Sequence, residues 1–92
     1  MGALKHYNIK ISGKVQGVFF RDSTKKKAQE LGLSGFVRNE PDGSVYIEAE
    51  GDAALLEEFV AWCKHGPQLA RVENIDIQEG DYVGFDAFVI AF

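Results

Sequence analysis

Apolar and polar residues alternate from Lys5 to Ser12, with Tyr7, Ile9 and Ile11 on one side. That period of two predicts a half-buried strand. From about Asp22 to Leu31 the spacing turns helical. Thr24, Ala28 and Leu31 share one face, while the lysines, Gln29 and Glu30 fall elsewhere. Asp22 stands in the first turn, where negative charge suits the helix dipole. Gly32 is placed to end the helix in a left-handed conformation. Residues Ser34 to Glu40 alternate again, with Gly35, Val37 and Asn39 opposed to Phe36 and Arg38. Pro41-Asp42-Gly43-Ser44 is a turn signal. Beyond it Val45, Ile47 and Ala49 alternate against Tyr46, Glu48 and Glu50. Residues 34–50 therefore predict a hairpin, broken by Gly51.

Asp52 is a candidate N-cap for a second helix over 53–64, with Leu55, Phe59, Trp62 and Cys63 on its apolar stripe. Gly66-Pro67 stops it. A strand is predicted from Val72 to Glu79, with a bulge, because Val72 is out of phase with Ile75 and Ile77. After a turn at 80–84, Phe85 to Phe92 predicts a closing strand with Phe88, Ile90 and Phe92 on one face. The order is strand, helix, strand, strand, helix, strand, plus one terminal strand. The simplest packing is an α+β sandwich of ferredoxin-like βαββαβ type with an extra C-terminal strand, two helices on one face of a mostly antiparallel sheet. One domain spanning 1–92 is expected. The first strand and the second strand of the hairpin belong at the centre, which sets the loop after the first strand beside Asn39.

Composition adds limits to this frame. The chain has 92 residues, 46% of them hydrophobic, and a single cysteine, Cys63. No internal disulfide can form, which favours a reducing, cytoplasmic setting. Residues 1–6 contain no apolar signal region, and Gly2 lacks the Ser or Thr at the sixth position that myristoylation prefers. No run reaches the length of a membrane span, so no membrane partner is expected. Net charge is −4, yet residues 1–38 carry eight of the ten Lys and Arg against only Asp22 and Glu30. That positive half can steer a small anion.

The positive half surrounds Gly13-Lys-Val-Gln-Gly-Val-Phe-Phe-Arg21. Two glycines in a strand-to-helix turn permit backbone angles that a side chain penalises. Val15, Val18 and either Phe19 or Phe20 can anchor the turn. Backbone N–H groups and a helix N-terminus then converge on a site for an anion, and Arg21 adds a planar, permanently charged fork. A tight turn with a surface arginine fits the same spacing. No metal site is evident, since His6 and His65 fall on different elements and Cys63 has no spaced partner. No nucleophilic triad and no ATP-type phosphate motif can be assembled. Cys63 reads as core, and the two histidines as structural or solvated.

An anion cradle, an arginine and a neutral amide suit a reaction whose leaving group is already a weak base, such as a carboxylate. Gly13 to Arg21, Thr24, Leu31-Gly-Leu-Ser-Gly-Phe-Val-Arg-Asn39, Asp42-Gly43-Ser44-Val45, Glu50-Gly51, Gly66-Pro67, Leu69-Ala-Arg-Val72 and Gly84-Phe85 together resemble the signatures of the acylphosphatase family. The resemblance implies a ferredoxin-like sandwich that hydrolyses the carboxyl–phosphate bond of acyl phosphates, with no cofactor and no metal. It implies that Arg21 binds the phosphate, and that the backbone of Val15, Gln16, Gly17, Val18, Phe19 and Phe20 forms the cradle. Asn39 would position the attacking water and Thr24 would support the loop. Inorganic phosphate would be product and inhibitor. Phe36 replaces a common tryptophan, and Phe19 stands where many relatives have glycine. A non-catalytic anion-binding module and an RNA-binding domain share this topology. The acidic side of the third strand, with Glu48 and Glu50, disfavours nucleic acid. A monomer is expected.

Overall fold

A computed structural model describes residues 3–92; the reading of Met1 and Gly2 lies outside the described residues. The elements are β1 (Leu4–Lys14), α1 (Phe20–Glu30), β2 (Ser34–Asn39), β3 (Val45–Asp52), α2 (Ala53–Cys63), β4 (Arg71–Gly80) and β5 (Phe88–Ile90). The strands lie in the order β4-β1-β3-β2-β5. All pairs are antiparallel except β2 with β5. This is the expected βαββαβ sandwich with an added strand, and β1 and β3 lie side by side within the sheet. Alternation dictates the core. Tyr7, Ile9 and Ile11 of β1, Val37 of β2 and Val45, Ile47 and Ala49 of β3 meet Phe20 and Ala28 of α1 and Leu56, Phe59, Val60 and Cys63 of α2. Among the described residues no helix is long and apolar enough to cross a membrane.

Local signals explain several details. Asp52 caps α2 by accepting from the N–H groups of Ala54 and Leu55 at 2.9 and 3.4 Å. The bulge required by Val72 is present: Ser12 faces Asn74 and Gly13 faces Val72, so Glu73 is the extra residue. Gly13 holds φ +128° at that point, and a Cβ there would collide with the Arg71 carbonyl oxygen.

Three expectations are corrected. β3 does not break at Gly51, which stays paired with Lys5. A Cβ at Gly51 would meet the Leu33 side chain at 2.7 Å, so this glycine marks a close approach rather than a chain break. The buried stripe of α2 is Leu56, Phe59, Val60 and Cys63, whereas Leu55 is exposed. The helix is apolar at both 55 and 56, so periodicity alone does not fix its phase. The closing strand covers only Phe88–Ile90.

The reason for that short strand lies upstream. β4 and β5 are at opposite edges of the sheet, so residues 81–87 must cross its helix-free face. They are held there by the buried carboxylate of Glu50. It accepts from the N–H groups of Val83 (2.9 Å), Gly84 (2.6 Å) and Phe85 (2.5 Å). His6 Nδ1 donates to the same carboxylate at 2.8 Å, and its Nε2 lies 3.1 Å from Glu48 and 3.0 Å from the Asn8 amide oxygen. The Phe85 ring stacks on His6 and meets Phe36 edge-on. Burial alone would lower the His6 pKa, but the bonds to Glu50 and Asn8 and the charges of Glu48 and Glu50 outweigh it and raise the value. For Glu50, burial works upward, and the His6 bond and three amides outweigh it and lower the value. Both shifts favour a charged pair beneath the strap.

Candidate active site

The loop between β1 and α1 is fixed by side chains that turn inward. Val15, Val18 and Phe20 are buried. Gln16 Nε2 donates to the carbonyl oxygens of Glu40 (2.9 Å) and Ser44 (2.8 Å), stapling the loop to the β2–β3 turn. Phe20, not Phe19, is the aromatic anchor; Phe19 is 71% exposed. Gly17 and Phe19 both adopt left-handed angles, φ +73° and +62°. The first helical bond is Ser23 N–H to the Phe19 carbonyl at 3.0 Å. The N–H groups of Phe20, Arg21 and Asp22 are therefore the orphan donors of a helix start, and no side chain among the described residues caps them.

These elements open on a cavity of ≈ 340 Å³ lined by Val15, Gly17, Phe19, Phe20, Arg21, Asp22, Asn39, Ile90 and Phe92. β2 brings Asn39 to it as its last residue, and β5 brings Ile90 through its parallel pairing with β2. Among the described residues no carboxylate pairs with Arg21; its guanidinium lies 5.6 Å from the centre of the Phe92 ring. The Asn39 Oδ1 is buried and accepts no hydrogen bond from a described residue. The Thr24 hydroxyl is also buried and has no hydrogen-bond partner among the described residues.

Of the residues singled out in the sequence, Val15, Gly17, Phe19, Phe20, Arg21 and Asn39 meet around one cavity. Gln16 and Val18 belong to the loop but their side chains face elsewhere. Asp22, Ile90 and Phe92 were not singled out as site residues. Asp22 carried only a helix-dipole signal, and nothing in the alternation of the closing strand tells which strand it joins. The cavity lining includes no Ser, Cys or His. Cys63 is buried in the core, and burial pushes its thiol well above the usual range, so it stays protonated. Among the described residues no three His, Cys, Asp or Glu are grouped as a metal site. The cavity offers oriented amides, a guanidinium and a neutral amide side chain. That set can hold a multiply charged oxyanion and orient water; it provides no covalent nucleophile of the serine or cysteine kind.

A family model described as Acylphosphatase matches residues 7–90. An acylphosphatase of Rubrobacter xylanophilus is 52% identical over 75 residues, covering 82% of this chain and 68% of that relative. One of Methylococcus capsulatus is 47% identical over 88 residues, covering 95% of this chain and 96% of the other. The crystal structure of an acylphosphatase from Bacillus subtilis superposes with a TM-score of 0.93 at 36% identity, covering 98% of this chain and all of that one.

Proposed function

This chain belongs to the acylphosphatase family, and on that footing we propose how its own residues carry out the hydrolysis of acyl phosphates. The phosphoryl group sits against the 15–20 loop and the orphan amides of α1, with Arg21 forked on two of its oxygens. Asn39 orients the attacking water. The water oxygen bonds to phosphorus as the bond from phosphorus to the carboxyl oxygen breaks. The electron pair leaves with the carboxylate, and the water protons pass to phosphate and solvent.

The observation that supports this most is the convergence on one cavity of a helix start with no side-chain cap and an arginine with no carboxylate partner, both among the described residues, together with Asn39. The leaving group explains why so spare a site suffices. A carboxylate departs without being protonated, so no general acid is needed. The charge that spreads over the phosphoryl oxygens meets preorganised donors, which is where a loose phosphoryl transition state is stabilised. With a fixed cation and helix amides in place, the reaction proceeds without a metal. We also infer a single domain over 1–92 that acts as a monomer in the cytoplasm, a compartment consistent with the lone, buried Cys63.

The test is hydrolysis of acetyl phosphate and benzoyl phosphate in EDTA, with inorganic phosphate titrated as competitor. Turnover in EDTA with competitive inhibition by phosphate is expected. Turnover that disappears in EDTA and returns with a divalent cation would refute the metal-free mechanism. Phosphate that raises the melting temperature without any turnover would place the chain among binding modules.

A further inference from the structure

Phe19 is the one non-glycine residue among those described with a positive φ. A side chain in that region is disfavoured because its Cβ crowds the backbone. Nothing ordinary offsets the strain. The ring is 71% exposed, so it does not serve the core. Phe20 already anchors the loop, and the Phe19 side chain makes no capping bond to α1. What the conformation achieves is placement: the ring lines the cavity that holds Arg21 and Asn39. Phe92, fully exposed, lines the same cavity with its ring against the Arg21 guanidinium, and Ile90 joins them. The polar centre is thus bordered by two solvent-facing aromatic rings.

Substrate geometry gives this border a use. In an acyl phosphate a single oxygen separates the phosphorus from the acyl carbon. Once the phosphoryl group is held at Arg21, the acyl group has to leave the cavity past its border. We propose that Phe19 and Phe92 form an acyl subsite for aromatic and large apolar acyl groups, with Phe19 as a specificity-determining residue. The proposal rests on the function given above. An aromatic acyl group gains ring–ring contact and buries apolar surface there; an acetyl group offers only a methyl group to the same rings. Because the contact lies away from the reacting phosphorus, it acts on ground and transition states alike and appears in KM rather than kcat.

The experiment compares kcat/KM for benzoyl phosphate with kcat/KM for acetyl phosphate in the parent chain, Phe19→Gly, Phe19→Tyr and Phe92→Ala. Taking the ratio removes any common effect on the phosphate grip. In Phe19→Gly and Phe92→Ala the ratio should fall about tenfold, through the KM for benzoyl phosphate. Phe19→Tyr, which keeps the ring, should retain the parent ratio. Ratios within about twofold of the parent in both truncated variants would overturn the subsite. If the parent still hydrolyses acetyl phosphate under phosphate competition, that failure leaves the proposed function standing. A parent that hydrolyses neither compound overturns the function and the subsite together.

Discussion

Glu50→Gln tests whether the strap over the sheet is held by charge. The Glu50 side chain is fully buried and accepts four hydrogen bonds, from His6 Nδ1 and from the N–H groups of Val83, Gly84 and Phe85. Glutamine keeps the shape but replaces one acceptor oxygen with an NH2 group. At least one of the four donors then faces another donor, and His6 loses one of its two neighbouring carboxylate charges, Glu48 remaining 3.1 Å from Nε2. A hydrogen bond to a charged group contributes about 1.5–3 kcal/mol, and removing one member of a buried ion pair costs about 3–5 kcal/mol. The substitution should therefore cost about 3 kcal/mol, a large part of the ~5–15 kcal/mol that stabilises a domain. For a domain of this size that is a fall in Tm of about 10–20 °C.

The cost should depend on pH in a defined direction. His6 has a raised value, so its contribution is complete below the ordinary imidazole value of 6.5 and is lost as pH climbs through the raised one. Glu50 has a lowered value, so its contribution is complete above the ordinary 4.5 and is lost as pH falls through the lowered one. Between pH 4.5 and 6.5 both charges are present in full, and the gap between parent and Glu50→Gln should be widest there. Two other groups face the pair: Glu48 adds to the pull on His6, and Tyr46 donates to Glu48 at 2.8 Å. Urea unfolding across pH measures the gap, and amide exchange at Val83 to Phe85 localises it. A gap under about 0.5 kcal/mol at every pH would refute the reasoning, because surface-like behaviour is then all that Glu50 shows.

Further outcomes concern the cavity. Arg21→Ala should lower kcat/KM for acetyl phosphate by at least about a hundredfold, the equivalent of roughly 3 kcal/mol of charge-assisted bonding, with urea stability close to the parent; normal turnover in the folded variant would remove Arg21 from the site. Asn39→Ala should reduce kcat more than it raises KM, since its proposed contact is to water; steady-state kinetics showing a raised KM and an unchanged kcat would contradict that role. Phe19→Gly relieves left-handed strain of about 1–2 kcal/mol against a glycine entropy cost of about 0.5–1 kcal/mol. Its denaturation midpoint should match or exceed that of the parent, and a clear fall would mean that the ring packs against the fold.

What could be read from the sequence was local. The alternation of Tyr7, Ile9 and Ile11, the cap at Asp52 and the bulge at Val72 each depend on residues a few positions apart, and each is found in the fold. The strap was out of reach for a physical reason. Glu50 reads as one more polar residue on an outer face, because its partners are backbone amides, which every sequence supplies and none advertises. The same gap hid Ile90 and Phe92 from the site, since only the crossing of the strap carries β5 to the side of β2. The adjacent phenylalanines show the limit at its smallest scale. Either could enter the core by composition; the left-handed turn at Phe19 decides, sending Phe20 inward and leaving Phe19 at the mouth of the cavity. Glu50 and Phe19 thus bear on the same cavity. One holds the strap that leads to the strand supplying Ile90, and the other lines the cavity beside Arg21. A loosened strap should therefore weaken benzoyl phosphate more than acetyl phosphate, which links the stability of the crossing to the choice of acyl group.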